Sequence, residues 1–146
     1  MSSDPHALAL TWLAGRRLTR RELEDRLKRR GISDVQCEET LARMSELGLV
    51  DDDRYAIELV AEAAEHGPQG PGKIWARLLR RGFSAETVAR AMQSQEWDWL
   101  TIARQLAERY DMTDQISKRR FIGRLAREGF PGQVICRFTD LADAGD

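Results

Sequence analysis

Cysteine, histidine and long apolar runs are scarce in this chain, and each shortage excludes a class of protein. The sequence has 146 residues, of which two are cysteines and two are histidines. No stretch reaches the ~18 apolar residues that a membrane-spanning helix needs. No basic segment followed by an apolar run stands at the N-terminus, which argues against a signal peptide. We therefore expect a cytoplasmic protein without a membrane partner, in which Cys37 and Cys136 pack as small buried side chains.

The same shortages leave few options for catalysis or metal binding. A zinc site needs several cysteine or histidine ligands at close spacing, and His6 and His66 stand far apart. Residues 67–73 fit the pattern G-x-x-x-x-G-K of a phosphate-binding loop. However, Ile74 occupies the position where Ser or Thr would contact magnesium, and the preceding segment is predicted to be a helix rather than a strand. We therefore expect an interhelical loop here, and no catalytic residue, metal or cofactor in the protein.

A block of eight residues occurs three times. Residues 26–33 recur as residues 77–84 and again as residues 124–131, at offsets of 51 (77 minus 26) and 47 (124 minus 77). Periods of this length are typical of arrays of helical units. Each copy places a glycine where a helix can end with positive φ, and the first two copies follow it with a serine that can cap the next helix.

Local capping signals divide the chain into helices. Thr19 and Glu22 form a predicted capping box, and Gly31, Gly82 and Gly129 are predicted to end helices. The pattern predicts nine helices and no sheet, near residues 5–15, 19–30, 33–47, 53–66, 71–81, 84–94, 98–110, 116–128 and 131–140.

We predict an all-α fold of three tandem three-helix repeats packed into an elongated, curved array. The repeats are residues 1–50, 51–97 and 98–146, the last with a short acidic tail. Packing roles are predicted for the four tryptophans, which are Trp12, Trp75, Trp97 and Trp99.

Charge is segregated along the chain, although the net charge is only −1. Residues 16–30 carry +5, residues 31–65 carry −8, residues 66–90 carry +4, residues 91–117 carry −3 and residues 118–137 carry +5. Each basic block coincides with the predicted middle helix of one repeat. A solvated helix face, or basic side chains near a helix C-terminus, would explain any single arginine.

The threefold recurrence of basic middle helices favours a binding surface for phosphates or for an acidic protein. The predicted surface comprises Arg16, Arg17, Arg20, Arg21, Arg26, Arg29, Arg30, Lys73, Arg77, Arg80, Arg81, Lys118, Arg119, Arg120, Arg124 and Arg127.

Several segments together resemble the RecX family of bacterial recombination regulators over residues 7–141. They are residues 19–23 leading to Gly31, residues 48–55 (similar to that family's G-L-D-D-x-R-F stretch), Gly70-Pro71 followed by Ile74 and Leu78, and Phe121 with residues 124–130. Glu128, where that family often has a basic residue, and the acidic tail residues Asp140, Asp143 and Asp146 depart from the pattern.

The resemblance implies a non-enzymatic modulator of RecA, and we expect the protein to be a monomer. Members of that family bind in the groove of the RecA filament on single-stranded DNA. There they block its extension and suppress its ATPase, strand-exchange and coprotease activities, which serve DNA recombination, repair and the SOS response. Two alternatives stay open at this stage. One is a stand-alone helix-turn-helix-like nucleic-acid-binding protein, with direct DNA binding that the interspersed acidic blocks would weaken. The other is a structural adaptor.

Overall fold

The computed structural model describes the backbone of residues 4–143 and the side chains of residues 4–139. The predicted acidic tail, Asp140, Asp143 and Asp146, therefore lies outside the described side chains. Residues 4–143 contain nine α-helices and no strand: α1 (Pro5–Gly15), α2 (Arg20–Arg29), α3 (Asp34–Glu46), α4 (Asp52–Glu65), α5 (Pro71–Arg81), α6 (Ala85–Gln93), α7 (Trp99–Ala107), α8 (Gln115–Arg127) and α9 (Gly132–Asp143). The predicted all-α helical repeat fold is confirmed, and helix boundaries differ from the prediction by three residues or fewer. No helix in this part of the chain is long and apolar enough to cross a membrane.

The capping signals form the contacts that the sequence predicts. Thr19 Oγ1 accepts a hydrogen bond from the Glu22 backbone N–H, and Glu22 Oε1 accepts one from the Thr19 N–H, so the capping box is complete. Gly31, Gly82 and Gly129 have φ of +81°, +101° and +77°. These left-handed conformations end α2, α5 and α8 and are open to glycine at little steric cost.

The described chain divides into two compact units. Unit 1 comprises the chain up to Glu58 together with Leu78–Met92, and unit 2 comprises Leu59–Arg77 together with the chain from Gln93 onward. In unit 1, helices α1, α2 and α3 pack around a core that includes Leu23, Leu27 and Met44. Because Leu23 and Leu27 are one helical turn apart, both side chains leave α2 on the same face.

Unit 2 has its own aromatic core. Helices α7, α8 and α9 surround Phe121, which is fully buried. The Phe121 ring lies 5.0 Å from the Phe138 ring and 5.3 Å from the Tyr110 ring, measured between centroids. Trp99 packs edge-on against Phe130, with 6.0 Å between centroids. Trp12 packs against the core of unit 1, so a packing role is confirmed for Trp12 and Trp99.

The two cysteines differ from each other in burial. Cys37 lies in the core of unit 1, next to the Ile32 carbonyl, and burial raises the pKa of its thiol. Cys136 is exposed on α9. The prediction of a buried side chain is therefore confirmed for Cys37 and wrong for Cys136. Phe138 is buried in the core of unit 2. Cys136 precedes it by two residues, and side chains two positions apart on a helix point to nearly opposite faces, so Cys136 faces away from that core.

Candidate functional site

Most of the predicted basic surface is exposed. Four of its sixteen members are partly buried, which are Arg26, Arg81, Lys118 and Arg124. The exposed members are Arg16, Arg17, Arg20, Arg21, Arg29, Arg30, Lys73, Arg77, Arg80, Arg119, Arg120 and Arg127. They lie on or beside α2, α5 and α8, whose opposite faces bury leucine, isoleucine and phenylalanine. Exposure leaves these guanidinium and ammonium groups accessible to a partner, although Arg17 is already paired with Glu58 and lies over the Tyr55 ring.

Arg81 is held inside unit 1. Its Nε and Nη2 donate to the two Glu22 carboxylate oxygens at 2.9 and 3.0 Å, and Nη2 also donates to the Tyr55 hydroxyl at 2.8 Å. The Thr19 hydroxyl donates to the Arg81 backbone carbonyl at 2.8 Å. Glu22 therefore serves the capping box of α2 and the last turn of α5 at once. A bidentate pair of this kind fixes geometry as well as charge.

Arg124 is likewise held by hydrogen bonds inside unit 2, although in the repeat it corresponds to Arg77 and not to Arg81. Its Nε donates to Glu128 Oε2 at 2.7 Å, one helical turn further along α8, and Nη1 approaches the Tyr110 hydroxyl at 3.3 Å. The Arg124 and Glu128 side chains are only 22% and 11% exposed. Arg81 and Arg124 thus hold the fold together, and the interface proposed below does not include them.

Close packing against Glu128 explains why residues 67–73, which resemble a phosphate-binding loop, are rich in glycine. The Gly70 N–H donates to Glu128 Oε1 at 2.9 Å, and the Gly72 N–H donates to the Glu128 carbonyl at 2.7 Å. A phosphate-binding loop presents such amides to phosphate oxygens. Here protein oxygens already occupy them, and α4 rather than a strand precedes the loop. The prediction of an interhelical loop is confirmed.

The acidic stretch in the family-like segment at residues 48–55 has three structural uses in unit 1. Asp51 caps α4 by accepting from the Arg54 N–H at 3.2 Å. Asp52 accepts from the Arg20 N–H at 2.9 Å. Asp53 accepts from the Thr87 hydroxyl at 3.1 Å, and also from the Arg90 guanidinium. These carboxylates therefore orient α2, α4 and α6.

Two glutamates, the partly buried Glu22 and the buried Glu128, make the stability of the fold depend on pH. Burial by itself would raise the pKa of the Glu22 and Glu128 carboxyls, because it disfavours the charged form. Hydrogen bonds from Arg81 and from the Thr19 N–H lower the pKa of Glu22, and those from Arg124 and the Gly70 N–H lower that of Glu128. The hydrogen bonds prevail, and both folded pKa values lie below the ordinary glutamate value. Each group then stabilises the fold above the unfolded pKa, and the contribution is lost as pH falls through the folded pKa.

We expect the free energy of unfolding to fall as the pH is lowered from about 6 to about 3, and to fall less steeply in Glu22→Gln. The glutamine cannot ionise, so its unfolded state gains no proton at that position. Urea titrations at several pH values, followed by circular dichroism, measure the slope. A pH slope in Glu22→Gln as steep as that of the parent would contradict this assignment.

Unit 2 also contains a pocket with a strongly basic wall. The pocket has a volume of about 290 Å³ and lies between the α4–α5 loop and the sides of α5 and α8. Its walls include His66, Gly67, Pro68, Gln69, Lys73, Arg77, Arg109 and Arg124. Arg109 follows α7 within residues 91–117, which carry a net charge of −3, so the charge pattern gave no reason to include it in the predicted basic surface. Among the described side chains, no cluster of acidic, histidine or cysteine residues could hold a metal ion.

Two family models match this chain. The model described as the first three-helix domain of RecX matches residues 6–44, and the model described as the second three-helix domain of RecX matches residues 51–92. The regulatory protein RecX of Stenotrophomonas maltophilia strain R551-3 is 38% identical over 139 residues, which cover 92% of this chain and 85% of that relative. The RecX of Halorhodospira halophila is 33% identical over 145 residues, covering 94% and 88%.

Solved structures share the fold. The crystal structure of RecX from Lactobacillus salivarius matches with a TM-score of 0.80 at 24% identity, covering 97% of this chain and 96% of that one. A second crystal structure of a regulatory protein RecX matches with a TM-score of 0.82 at 20% identity, covering 93% and 71%.

Proposed function

This chain belongs to the RecX family of regulatory proteins, and from that membership we propose that it binds the RecA filament on single-stranded DNA and inhibits it. The proposed inhibition covers the ATPase, strand-exchange and coprotease activities of RecA, and through them DNA recombination, repair and the SOS response. The protein acts in the cytoplasm as a monomer, by binding and without a catalytic step.

The observation that supports this proposal is the exposure of basic side chains on equivalent helices. Arg29 and Arg30 end α2, Arg80 lies in the last turn of α5, and Arg119 and Arg120 lie on α8, all of them exposed. We propose that the three repeats, residues 1–50, 51–97 and 98–146, each contribute such a helix to the interface. Many weak contacts spread along the chain suit a partner that is itself a long polymer with phosphate and acidic protein surfaces.

We expect the combined Arg→Gln substitution of Arg29, Arg30, Arg119 and Arg120 to raise the half-inhibitory concentration in a RecA ATPase assay about tenfold. Each exposed charge contact contributes only about 0.2–1 kcal/mol, and 1.4 kcal/mol corresponds to about tenfold. The assay measures ATP hydrolysis by RecA on single-stranded DNA against the concentration of this protein.

The matched control removes four exposed arginines outside the predicted surface. They are Arg43, Arg54, Arg104 and Arg137, each changed to glutamine. This control has the same net charge as the test variant and should inhibit like the parent. Equal loss in both variants would assign the effect to net charge and reject the interface. A parent that binds naked DNA tightly and leaves RecA unaffected would favour a stand-alone nucleic-acid-binding protein.

A further inference from the structure

The basic pocket of unit 2 differs from the other cavities in the chemistry of its walls. Two cavities of unit 1 contain Arg20, but Asp51–Asp53 line one of them, and Glu24, Asp25 and Asp52 line the other. The walls of the unit 2 pocket include Lys73, Arg77, Arg109 and Arg124 and no carboxylate. A concave site with cations on its walls and no acidic residue favours an anion.

Three of these cations, Lys73, Arg77 and Arg109, form no ion pair among the described residues. Arg124 is paired with Glu128. Arg77 Nη2 instead donates to the neutral amide oxygen of Gln69 at 2.9 Å. Lys73 and Arg109 likewise have no ion-pair partner among the described side chains, although the Lys73 charge acts on Glu128 from beyond ion-pair distance. The pocket therefore has a surplus of positive charge that a phosphate group would satisfy.

The pocket is also held in shape before any ligand arrives. Gln69 Nε2 donates to the Ala63 carbonyl at 3.2 Å, so the amide that orients Arg77 is itself fixed. The Gly70 N–H bonded to Glu128 fixes the next residue of the same loop. A guanidinium that is already oriented loses less conformational entropy on binding than a free one.

A second, less polar pocket of about 260 Å³ shares Gly67, Pro68 and Gln69 with the first. Its walls include Trp97, whose ring stacks on the Trp99 ring at 4.5 Å with an interplanar angle of 11°. A cationic groove beside an aromatic surface is the combination by which proteins bind single-stranded nucleic acid without sequence preference.

We propose that the basic pocket of unit 2 binds a backbone phosphate of single-stranded nucleic acid, with a neighbouring base against Trp97. Lys73, Arg77 and Arg109 contact the phosphate oxygens, and Gln69 positions Arg77. This inference rests on the proposed function for its biological setting, but it predicts binding to nucleic acid in the absence of RecA. It also identifies Arg109 and Gln69 as binding-site residues outside the predicted basic surface.

The test measures the fluorescence anisotropy of a labelled oligothymidylate titrated with the full chain. We expect Lys73→Gln/Arg109→Gln to bind about tenfold more weakly than the parent at about 50 mM salt. Two lost phosphate contacts should also reduce the slope of log affinity against log salt by about 1.4, at about 0.7 for each contact on a single strand. Circular dichroism and thermal melting check that the variant folds.

The matched control is Arg104→Gln/Arg137→Gln, which removes two exposed arginines of unit 2 from outside the pocket. It should change the affinity by less than about twofold, because distant exposed charges are screened by salt. Equal weakening in both double variants, or no binding by the parent, would overturn the proposal.

Two further probes separate the sources of the phosphate. Parent binding to inorganic phosphate by calorimetry, without binding to oligothymidylate, would overturn the assignment to nucleic acid. An abasic oligomer of the same length should bind about fivefold more weakly, because it offers phosphates but no base to stack, and equal binding would overturn the role of Trp97.

Inhibition of the RecA ATPase is measured in parallel, so that the pocket proposal and the proposed function are tested separately. If the parent inhibits RecA and Lys73→Gln/Arg109→Gln binds oligothymidylate as tightly as the parent, the pocket proposal is refuted and the proposed function is not. If the variant loses oligothymidylate binding but the parent does not inhibit RecA, the proposed function is refuted and the pocket proposal is not.

Discussion

Gly70→Ala is expected to destabilise unit 2 by about 3 kcal/mol, because the added methyl group has no space. A Cβ atom at Gly70 would lie 2.7 Å from Glu128 Cβ and 2.7 Å from Phe130 Cε2, and closer still to the Glu128 carbonyl oxygen. Backbone atoms cannot move aside as the end of a flexible side chain can. Relief would require the α4–α5 loop to separate from the end of α8, which would break the hydrogen bonds that Glu128 accepts from the Gly70 and Gly72 amides.

Urea unfolding followed by circular dichroism and tryptophan fluorescence measures this effect. Gly132→Ala is the matched control, because a Cβ at that position in unit 2 meets no atom within 4 Å. The control should be neutral or slightly more stable, by about 0.4–1 kcal/mol, since alanine restricts the unfolded chain. Similar stabilities for the two alanine variants would mean that the loop and the end of α8 are not in close contact.

Arg81→Ala is expected to lower the free energy of unfolding of unit 1 by about 2–3 kcal/mol, far more than the same change at the neighbouring Arg80. The Arg81 side chain is 29% exposed and Glu22 is 25% exposed, so the pair is only partly accessible to water. Removal of the guanidinium leaves Glu22 Oε2 and the Tyr55 hydroxyl without their donor, while Glu22 Oε1 keeps only the Thr19 N–H. It also removes a guanidinium that lies 5.3 Å from the centre of the Tyr55 ring.

Arg80→Ala is the control for this prediction, because Arg80 precedes Arg81 in α5 and is exposed. Its cost should stay within about 0.5 kcal/mol, as for other exposed positions. A double-mutant cycle with Glu22→Gln should give a coupling energy of about 1–3 kcal/mol for Arg81 and a value near zero for Arg80. Equal costs at Arg80 and Arg81 would show that the ion pair contributes nothing to stability.

The helices were predictable because their signals are local. Thr19 and Glu22 are three residues apart and form the cap of α2, and Gly31, Gly82 and Gly129 have the positive φ that ends a helix. The recurrence of this pattern at offsets of 51 and 47 residues predicted the helical-repeat fold. Cys136 is the exception, since an apolar residue on a short helix can lie on either side of the boundary between the buried and the exposed face.

The functional surface was predictable only as a set of candidates. Charge along the sequence places Arg80 and Arg81 in one basic block, and Glu128 among basic neighbours. Nothing local separates the arginine that faces solvent from the arginine that pairs with Glu22. Likewise, Ile74 argues against a phosphate-binding loop at residues 67–73, but the local sequence does not identify Glu128 as the partner of the Gly70 amide.

The sequence by itself therefore determined the helices, their caps and the family, because each of these depends on residues within a few positions of one another or on a pattern repeated along the chain. The tertiary structure alone decided which charges hold the fold and which stay available. Arg81 meets a carboxylate 59 residues away, and the Gly70 amide meets one 58 residues away. It likewise brought Arg109 to the same pocket as Lys73. Contacts over such separations arise from how the helices pack, and the local sequence contains no record of them.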